Sequence, residues 1–346
     1  MERALALARH HLPHPNPRVG AVVVDAGGRV VGEGAHLAAG EPHAEVLALA
    51  EAGSRAQGGT LFVTLEPCAH QGRTPPCADA VADAGLARVV VGTIDPDPRV
   101  AGRGITRLEK AHLRVEVGVM GSQVEEADPG YFHHRRSGRP LLTLKMAMTL
   151  DGQVAALDGT SQWITGEEAR VDAHLLRSEV DAVLTGSGTL EADSPRLDVR
   201  LPGYKGRQPR PVVVTGRRLP TSWGRLEGRQ PLVVSTRSLP LPPGAEALIV
   251  PEGDHQRPDL LAAVEGLGQQ GLLHILVEGG PTLAAAFLQA QLVDRGVFYL
   301  AGKLAGGTGR GAFTGTWSTL SASNEIEISR VTPVGHDLRV DFLVKN

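Results

Sequence analysis

His43, Ala44 and Glu45 form a His-x-Glu triplet, and the two cysteines of the chain lie downstream of it, Cys68 directly after Pro67 and Cys77 nine positions further on. One neutral imidazole and two thiolates suit Zn²⁺ and leave the fourth tetrahedral position for water. A glutamate that is not needed as a ligand is available to move protons between that water and a substrate. The chemistry such a set can do is hydrolytic removal of an amino group from a nucleobase-like ring. The alternatives are a disulfide or two small buried residues. The order of the four positions and the residues between them favour metal over both.

Stepping outward, these residues need elements to hold them. Residues 2 to 11 read as a short helix that His14-Pro15-Asn16-Pro17 breaks. Val19 to Val24 is a strand, Asp25-Ala26-Gly27-Gly28 a hairpin turn, and Val30-Val31 the return. Gly40-Glu41-Pro42-His43 opens a helix that runs to Gly53, with Pro42 near its first turn. Thr60 to Leu65 and Arg88 to Ile94 read as strands, with a helix over Ala78 to Ala84 between them. This alternation argues for an α/β layer domain. A helix cannot carry both cysteines: nine residues turn it by about 900°, and Pro75-Pro76 forbids it. Ala69 to Pro76 is therefore a loop that returns the chain, and Cys77 starts the next helix. Thiolates at helix N-termini are favoured by the free N–H groups there.

The chain has 346 residues, enough for two domains, and is 42% hydrophobic and 21% charged. Net charge is −3 and aromatics are 3%, so neither a basic footprint nor stacking platforms for nucleic acid are indicated. Met1-Glu2-Arg3-Ala4 lacks an apolar signal-peptide core, and no apolar run approaches the ~18 residues of a membrane span. A cytoplasmic protein is the expectation, with no membrane partner, and in a reducing compartment close cysteines more often bind metal. Arg135-Arg136-Ser137-Gly138-Arg139-Pro140 is polar and helix-breaking and marks the expected boundary, giving domains 1–138 and 139–346.

In the second half, strands are expected at Leu141 to Met148, Asp181 to Thr185, Pro211 to Thr215, Leu232 to Ser235, Leu273 to Val277 and Arg295 to Leu300. Leu338 to Val344 alternates and reads as a late edge or hairpin strand, and Gly166 to Ser178 as an amphipathic helix. No Gly-x-Gly-x-x-Gly follows a strand, so a Rossmann fingerprint is absent. Two glycine turns do follow strands, Gly186-Ser187-Gly188-Thr189 and Glu278-Gly279-Gly280-Pro281-Thr282, and a helix beginning at Pro281 offers N–H groups to a pyrophosphate or 2′-phosphate. The glycine-dense Gly306 to Gly311 reads as a flexible loop.

The eight-residue step between the cysteines, within Thr64-Leu65-Glu66-Pro67-Cys68 to Thr74-Pro75-Pro76-Cys77, departs from the Pro-Cys-x-x-Cys of nucleoside and tRNA deaminases. It resembles the deaminase of riboflavin biosynthesis. His14 to Gly20, Asp95 to Gly104, Leu144 to Gly152 and Ser161-Gln162-Trp163-Ile164-Thr165 are similar to the same family. The resemblance covers nearly the whole chain and is to the bifunctional diaminohydroxyphosphoribosylaminopyrimidine deaminase / 5-amino-6-(5-phosphoribosylamino)uracil reductase family. It implies a cytidine-deaminase-like α/β/α domain followed by a dihydrofolate-reductase-like α/β domain. It also implies Zn²⁺ on His43, Cys68 and Cys77, with Glu45 as proton shuttle, and a homo-oligomer formed through the reductase domain.

The resemblance places Asn16 against the deaminase substrate, where the bare reading is a turn-former between prolines, and makes His70 and Arg73 candidate contacts. It places NADPH on Ala147, Trp163, Thr189, Asp193 and the stretch Gly280, Pro281, Thr282, Leu283, Ala284, Ala285 and Ala286. It places the reductase substrate, a phosphorylated pyrimidine, on Ser161, Arg177, Leu197, Arg200 and Glu278, with the two arginines suited to the ribose phosphate. Either Asp193 or Glu278 would manage a proton or orient the sugar. Two departures stand out: Ala69 where the family often has Ser, and Thr215-Gly216 where it often has Asp-Ser, the latter bearing on NADPH against NADH. A nucleic-acid deaminase would show basic, aromatic-rich surfaces, and a dead scaffold would lack Glu45 or a ligand; this chain shows neither pattern.

Overall fold

The structure, a computed structural model, describes residues 1–70, 75–216, 220–307 and 309–345. The chain divides into two compact units, Met1–Gly138 and Arg139–Asn346.

In the first unit, α1 (Glu2–Arg9) precedes a hairpin of β1 (Gly20–Val24) and β2 (Val30–Ala35). Then come α2 (Ala44–Ala52), β3 (Thr60–Leu65), α3 (Cys77–Asp83), β4 (Arg88–Thr93), α4 (Arg103–Lys110), β5 (Arg114–Val117), α5 (Gly121–Ala127) and α6 (Pro129–Ser137). The sheet order is β2-β1-β3-β4-β5. β1 is antiparallel to β2 and β3, whereas β3, β4 and β5 run parallel. The runs Ala21-Val22-Val23 and Val89-Val90-Val91 are buried throughout, as strands covered on both faces must be. α2 lies unusually close to β2: a Cβ on Gly34 would stand 2.2 Å from the Ala44 carbonyl oxygen, so only glycine admits this approach. That contact seats the first turn of α2 against the sheet.

The second unit opens with β6 (Leu141–Thr149), β7 (Gln153–Ala155), α7 (Glu167–Ser178), β8 (Ala182–Gly186), α8 (Ser187–Asp193) and β9 (Arg210–Val214). It continues with β10 (Leu232–Ser235), β11 (Glu246–Ile249), α9 (Leu260–Gln269), β12 (His274–Val277), α10 (Pro281–Gln289) and β13 (Arg295–Ala301). β14 (Arg310–Gly311), β15 (Ile326–Val334) and β16 (Asp337–Val344) close it. The large sheet has the order β11-β10-β9-β8-β12-β6-β13-β16-β15 and is parallel from β11 to β13. β16 and β15 add antiparallel pairs at the far side. Leu142, Leu144, Leu184, Val212, Leu232, Ile275 and Val277 pack with Phe287 of α10 in one buried core. Burying each such side chain stabilises the fold by about 1.5–3 kcal/mol.

Several sequence expectations need correction. The second helix begins at Ala44, later than the expected opening at Gly40 to His43, with His43 as its N-cap and Pro42 near the first turn but outside it. Arg135, Arg136 and Ser137 are not helix-breaking: they finish α6, whose Tyr131 and Phe132 are buried, and Gly138 ends it at φ 78. Of the two alternatives for Leu338 to Val344, the hairpin strand is the one found: β16 pairs antiparallel with β15 and lies between it and β13, so the sheet edge is β15. Gly306 to Gly311 is tied down, because the Gly306 N–H donates to Asp151 Oδ2 at 2.7 Å and β14 pairs with β7; Thr308 lies outside the described residues.

Candidate functional site

β3 ends one residue before Glu66-Pro67-Cys68, α2 begins at His43, and α3 begins at Cys77. These three ends meet. His43 Nδ1 lies 2.9 Å from Cys77 Sγ and 3.6 Å from Cys68 Sγ, and the three ligand atoms fall within 4.8 Å of one another. The Cys77 N–H donates to Cys68 Sγ at 3.3 Å, and the Ala78 N–H to the Cys68 carbonyl at 3.1 Å, so the start of α3 is turned toward the thiolate. The Cys77 thiol, with His43, holds the Cys68 thiol down at about 4 against burial, while Cys68 and burial push Cys77 up. Two sulfurs beside an imidazole are a donor set completed by a cation. The residues therefore fit Zn²⁺. Among the described residues this is the one group of His, Cys, Asp or Glu so placed.

Glu45, in the first turn of α2, is 3% exposed, and burial raises its carboxyl to about 7. Asn16 Nδ2 donates to His36 Nε2 at 3.0 Å, and the other ring nitrogen of His36 lies 3.3 Å from the Pro42 carbonyl. That carbonyl accepts only from Nδ1–H, which leaves Nε2 to receive the amide. The His36 ring stands edge-on to His43 with centroids 4.9 Å apart. His36 links Asn16 to His43, and sequence reasoning missed it: a lone histidine after a strand carries no spacing signal. Asp95, the first residue of the family-like stretch Asp95 to Gly104, lies just past β4. Burial raises its carboxyl to about 6, and the Tyr131 hydroxyl donates to it at 2.9 Å. His70 is exposed, and Arg73 lies outside the described residues.

In the second unit, Glu278 directly follows β12 and meets Arg177 from the last turn of α7, Nε to Oε1 at 2.6 Å and Nη2 to Oε2 at 2.8 Å. Arg177 Nη1 donates to the Asp198 carbonyl at 3.0 Å, and Arg200 pairs with the Asp198 carboxylate. Leu197 is buried between them in sequence at φ 51. Lys145 of β6 lies behind the pair, its pKa lowered by burial, with Nζ 5.7 Å from the centre of the Tyr299 ring. Arg177, Arg200 and Glu278 thus form one cluster through Asp198, while Leu197, next to Asp198, packs into the apolar core with Val183 and Leu190.

The glycine turns form a second cluster. The Gly280 N–H donates to Thr189 Oγ1 at 3.0 Å, and Leu283 packs under Gly186 and Gly279. Ser187 already belongs to α8, so the first turn is a helix start as well. Pro281 opens α10, within which Ala284 and Ala285 are buried. Trp163 is 62% exposed, capped by the Arg170 guanidinium at 4.6 Å, with Lys303 Nζ on its carbonyl at 2.7 Å. Asp193 is exposed at the end of α8, Ser161 is half-buried, and Ala147 sits within β6.

Residues 1–93 match the cytidine and deoxycytidylate deaminase zinc-binding region, and residues 140–338 match the RibD C-terminal domain. The riboflavin biosynthesis protein RibD of Escherichia coli K12 is 44% identical over 331 residues, covering 91% of this chain and 90% of its own. That of Aquifex aeolicus is 39% identical over 352 residues, 99% of this chain and 97% of its own. The chain belongs to the RibD family. A solved RibD of Acinetobacter baumannii superposes with TM-score 0.90 at 35% identity, over 100% of this chain and 98% of that one. So does the diaminohydroxyphosphoribosylaminopyrimidine deaminase/5-amino-6-(5-phosphoribosylamino)uracil reductase of Thermotoga maritima, with TM-score 0.90 at 32% identity, over 100% and 97%. Like RibD, this chain joins a zinc-dependent deaminase to an NADPH-dependent reductase of riboflavin biosynthesis, and its two folds are the deaminase and reductase folds of that family. No described helix of this RibD-family chain is long and apolar enough to cross a membrane.

Proposed function

We propose that residues 1–138 hydrolyse the amino group from 2,5-diamino-6-(5-phosphoribosylamino)pyrimidin-4(3H)-one, and that residues 139–346 reduce the ribosyl group of the product to give 5-amino-6-(5-phosphoribitylamino)uracil. The observation that carries the first half is the convergence of His43, Cys68 and Cys77 beside buried Glu45. Zn²⁺ held by the three ligands supplies, when bound, Lewis acidity toward water and ring. Glu45 takes a proton from the attacking water and delivers it to the departing amino nitrogen. A carboxyl poised at about 7 serves both directions near neutral pH. Asn16, steadied by His36, holds the ring in place.

In the second half, NADPH supplies, when bound, the hydride for C1′ of the opened sugar. The start of α10, within Gly280 to Ala286, meets its phosphates, Thr189 fixes the N-cap Gly280, and Ala147, Trp163 and Asp193 line the remainder. Every Arg177 donor group faces Glu278 or Asp198, which suits it to aiming Glu278 rather than to gripping phosphate. Arg200 then meets the phosphate, with Ser161 and Leu197 beside the substrate. Glu278, half-buried among these cations, orients the sugar in preference to exposed Asp193.

A homo-oligomer through residues 139–346 is part of the same reading. Val171 and Leu175 of α7 and Ile326, Ile328 and Val331 of the open edge strand β15 expose apolar side chains that a second copy would cover. The test of function incubates the pure chain with the diaminopyrimidine, with and without NADPH. Ammonia is expected in both, and NADPH oxidation only after ammonia has formed. Ammonia release with no NADPH oxidation would sink the reductase half.

A further inference from the structure

Glu66 stands two residues before Cys68, is 3% exposed, and faces backbone amides rather than cations. Its Oε2 accepts from the Gly102 N–H at 2.9 Å and the Asp95 N–H at 3.3 Å. Its Oε1 accepts from the Gly104 N–H at 2.8 Å and the Ile105 N–H at 3.4 Å. Its own N–H donates to the Thr93 carbonyl at 3.0 Å. Gly102 is the N-cap of α4 and Gly104 and Ile105 are its second and third residues; the Arg103 N–H donates to the Val100 carbonyl at 2.8 Å, and Gly102 has no side chain to satisfy the others. The common solution is a local Ser, Thr, Asp or Asn at the N-cap. Here the cap comes from 36 residues upstream, from the strand end that delivers a metal ligand.

The contact is tightened by Gly104. A Cβ there would lie 1.9 Å from the Pro67 carbonyl oxygen, so the Pro67 backbone rests directly on the first turn of α4. Pro67 has a fixed φ, so what holds Glu66 and the Pro67 carbonyl also sets where Cys68 begins.

We infer that Glu66 is a positioning residue for the metal centre: it binds the start of α4 and the Asp95 amide, and so fixes the Pro67–Cys68 backbone where Cys68 Sγ meets His43 Nδ1 and Cys77 Sγ. Glu66 touches neither substrate nor metal in this role. The inference rests on the reading of His43, Cys68 and Cys77 as a metal site.

The test uses the full chain with Co²⁺ in place of Zn²⁺, because thiolate-to-cobalt charge-transfer and d–d bands report ligand geometry directly. Glu66→Gln keeps the side-chain size but turns an amide N–H₂ toward one pair of N–H donors. Gly104→Ala keeps Glu66 and displaces Pro67. Both variants are expected to shift the cobalt bands and to release metal to a chelator about tenfold faster, the lower end for groups that orient ligands. Deaminase kcat falls by about the same factor with KM little changed, and reductase turnover of the deaminated substrate is retained. Unchanged cobalt bands and release rates with only a lowered melting temperature would overturn the inference. So would loss of the folded first unit in both variants, which would make Glu66 a cap for the fold as a whole. Absence of thiolate-to-cobalt bands in the unaltered chain would instead overturn the metal site itself.

Discussion

The guanidinium of Arg177 and the carboxylate of Glu278 are locked edge to edge, so neither can turn to a ligand without releasing the other. Burial works to raise the Glu278 carboxyl, but the Arg177 charge and hydrogen bonds, with Lys145 behind, prevail and hold it at about 2. The folded value lies below the ordinary 4.5, so the pair stabilises fully above that pH and its contribution is lost as pH falls from 4.5 toward about 2. Arg177→Met removes one partner of a half-buried, bidentate pair and is expected to cost about 2–3 kcal/mol, below the roughly 3–5 kcal/mol of a fully buried pair. Chemical denaturation at neutral pH and at pH near 3 checks this: the deficit relative to the unaltered chain should shrink at the lower pH.

Glu45→Gln removes the proton carrier without disturbing the ligand set. Ammonia release is expected to fall by about 10²–10⁴-fold, while NADPH oxidation with pre-deaminated substrate continues. Loss of both activities in a chain that still melts normally would require a different assignment of the two sites.

Chelation of the metal, or Cys77→Ser, is expected to abolish deamination and leave reduction intact. Metal analysis should return about one equivalent of zinc per chain for a three-ligand site of this type. Less than half an equivalent, unaltered by added zinc, would count against the site.

Thr189→Val deletes the oxygen that receives the Gly280 N–H. A net hydrogen bond contributes about 0.5–1.5 kcal/mol, so KM for NADPH is expected to rise about threefold to tenfold. Steady-state kinetics with saturating substrate checks it, and an unchanged KM would detach Thr189 from the cofactor turn.

The convergence of His43, Cys68 and Cys77 was legible because few residue types bind zinc and because the loop between the cysteines is bounded by Pro75-Pro76. β1, β3, β4, β8, β9, β10 and β12 were legible as short aliphatic, β-branched-rich runs. The stretch from Arg103 to Ser137 was not: α4 offers only Ile105 and Leu108 as apolar positions, and α5 has no side-chain cap. β15 carries Pro333 and is exposed along most of its length, so its pattern mimics a loop. The Glu66 contacts were invisible for a different reason. Their partners are backbone amides, which leave no mark on residue type.

Cys68 and Asp95 lie past the carboxyl ends of β3 and β4, and Thr189 and Glu278 past those of β8 and β12. The opposite ends of these parallel strands carry the exposed turn Ala111-His112 before β5 and the exposed Gln269-Gln270 at the end of α9, before β12. Those turns are where the chain can be lengthened: an epitope tag, a fluorophore site or a fused domain spliced there sits at the far side of each sheet from the chemistry. The molecule thus offers attachment points for immobilising or labelling either half while both catalysts keep running.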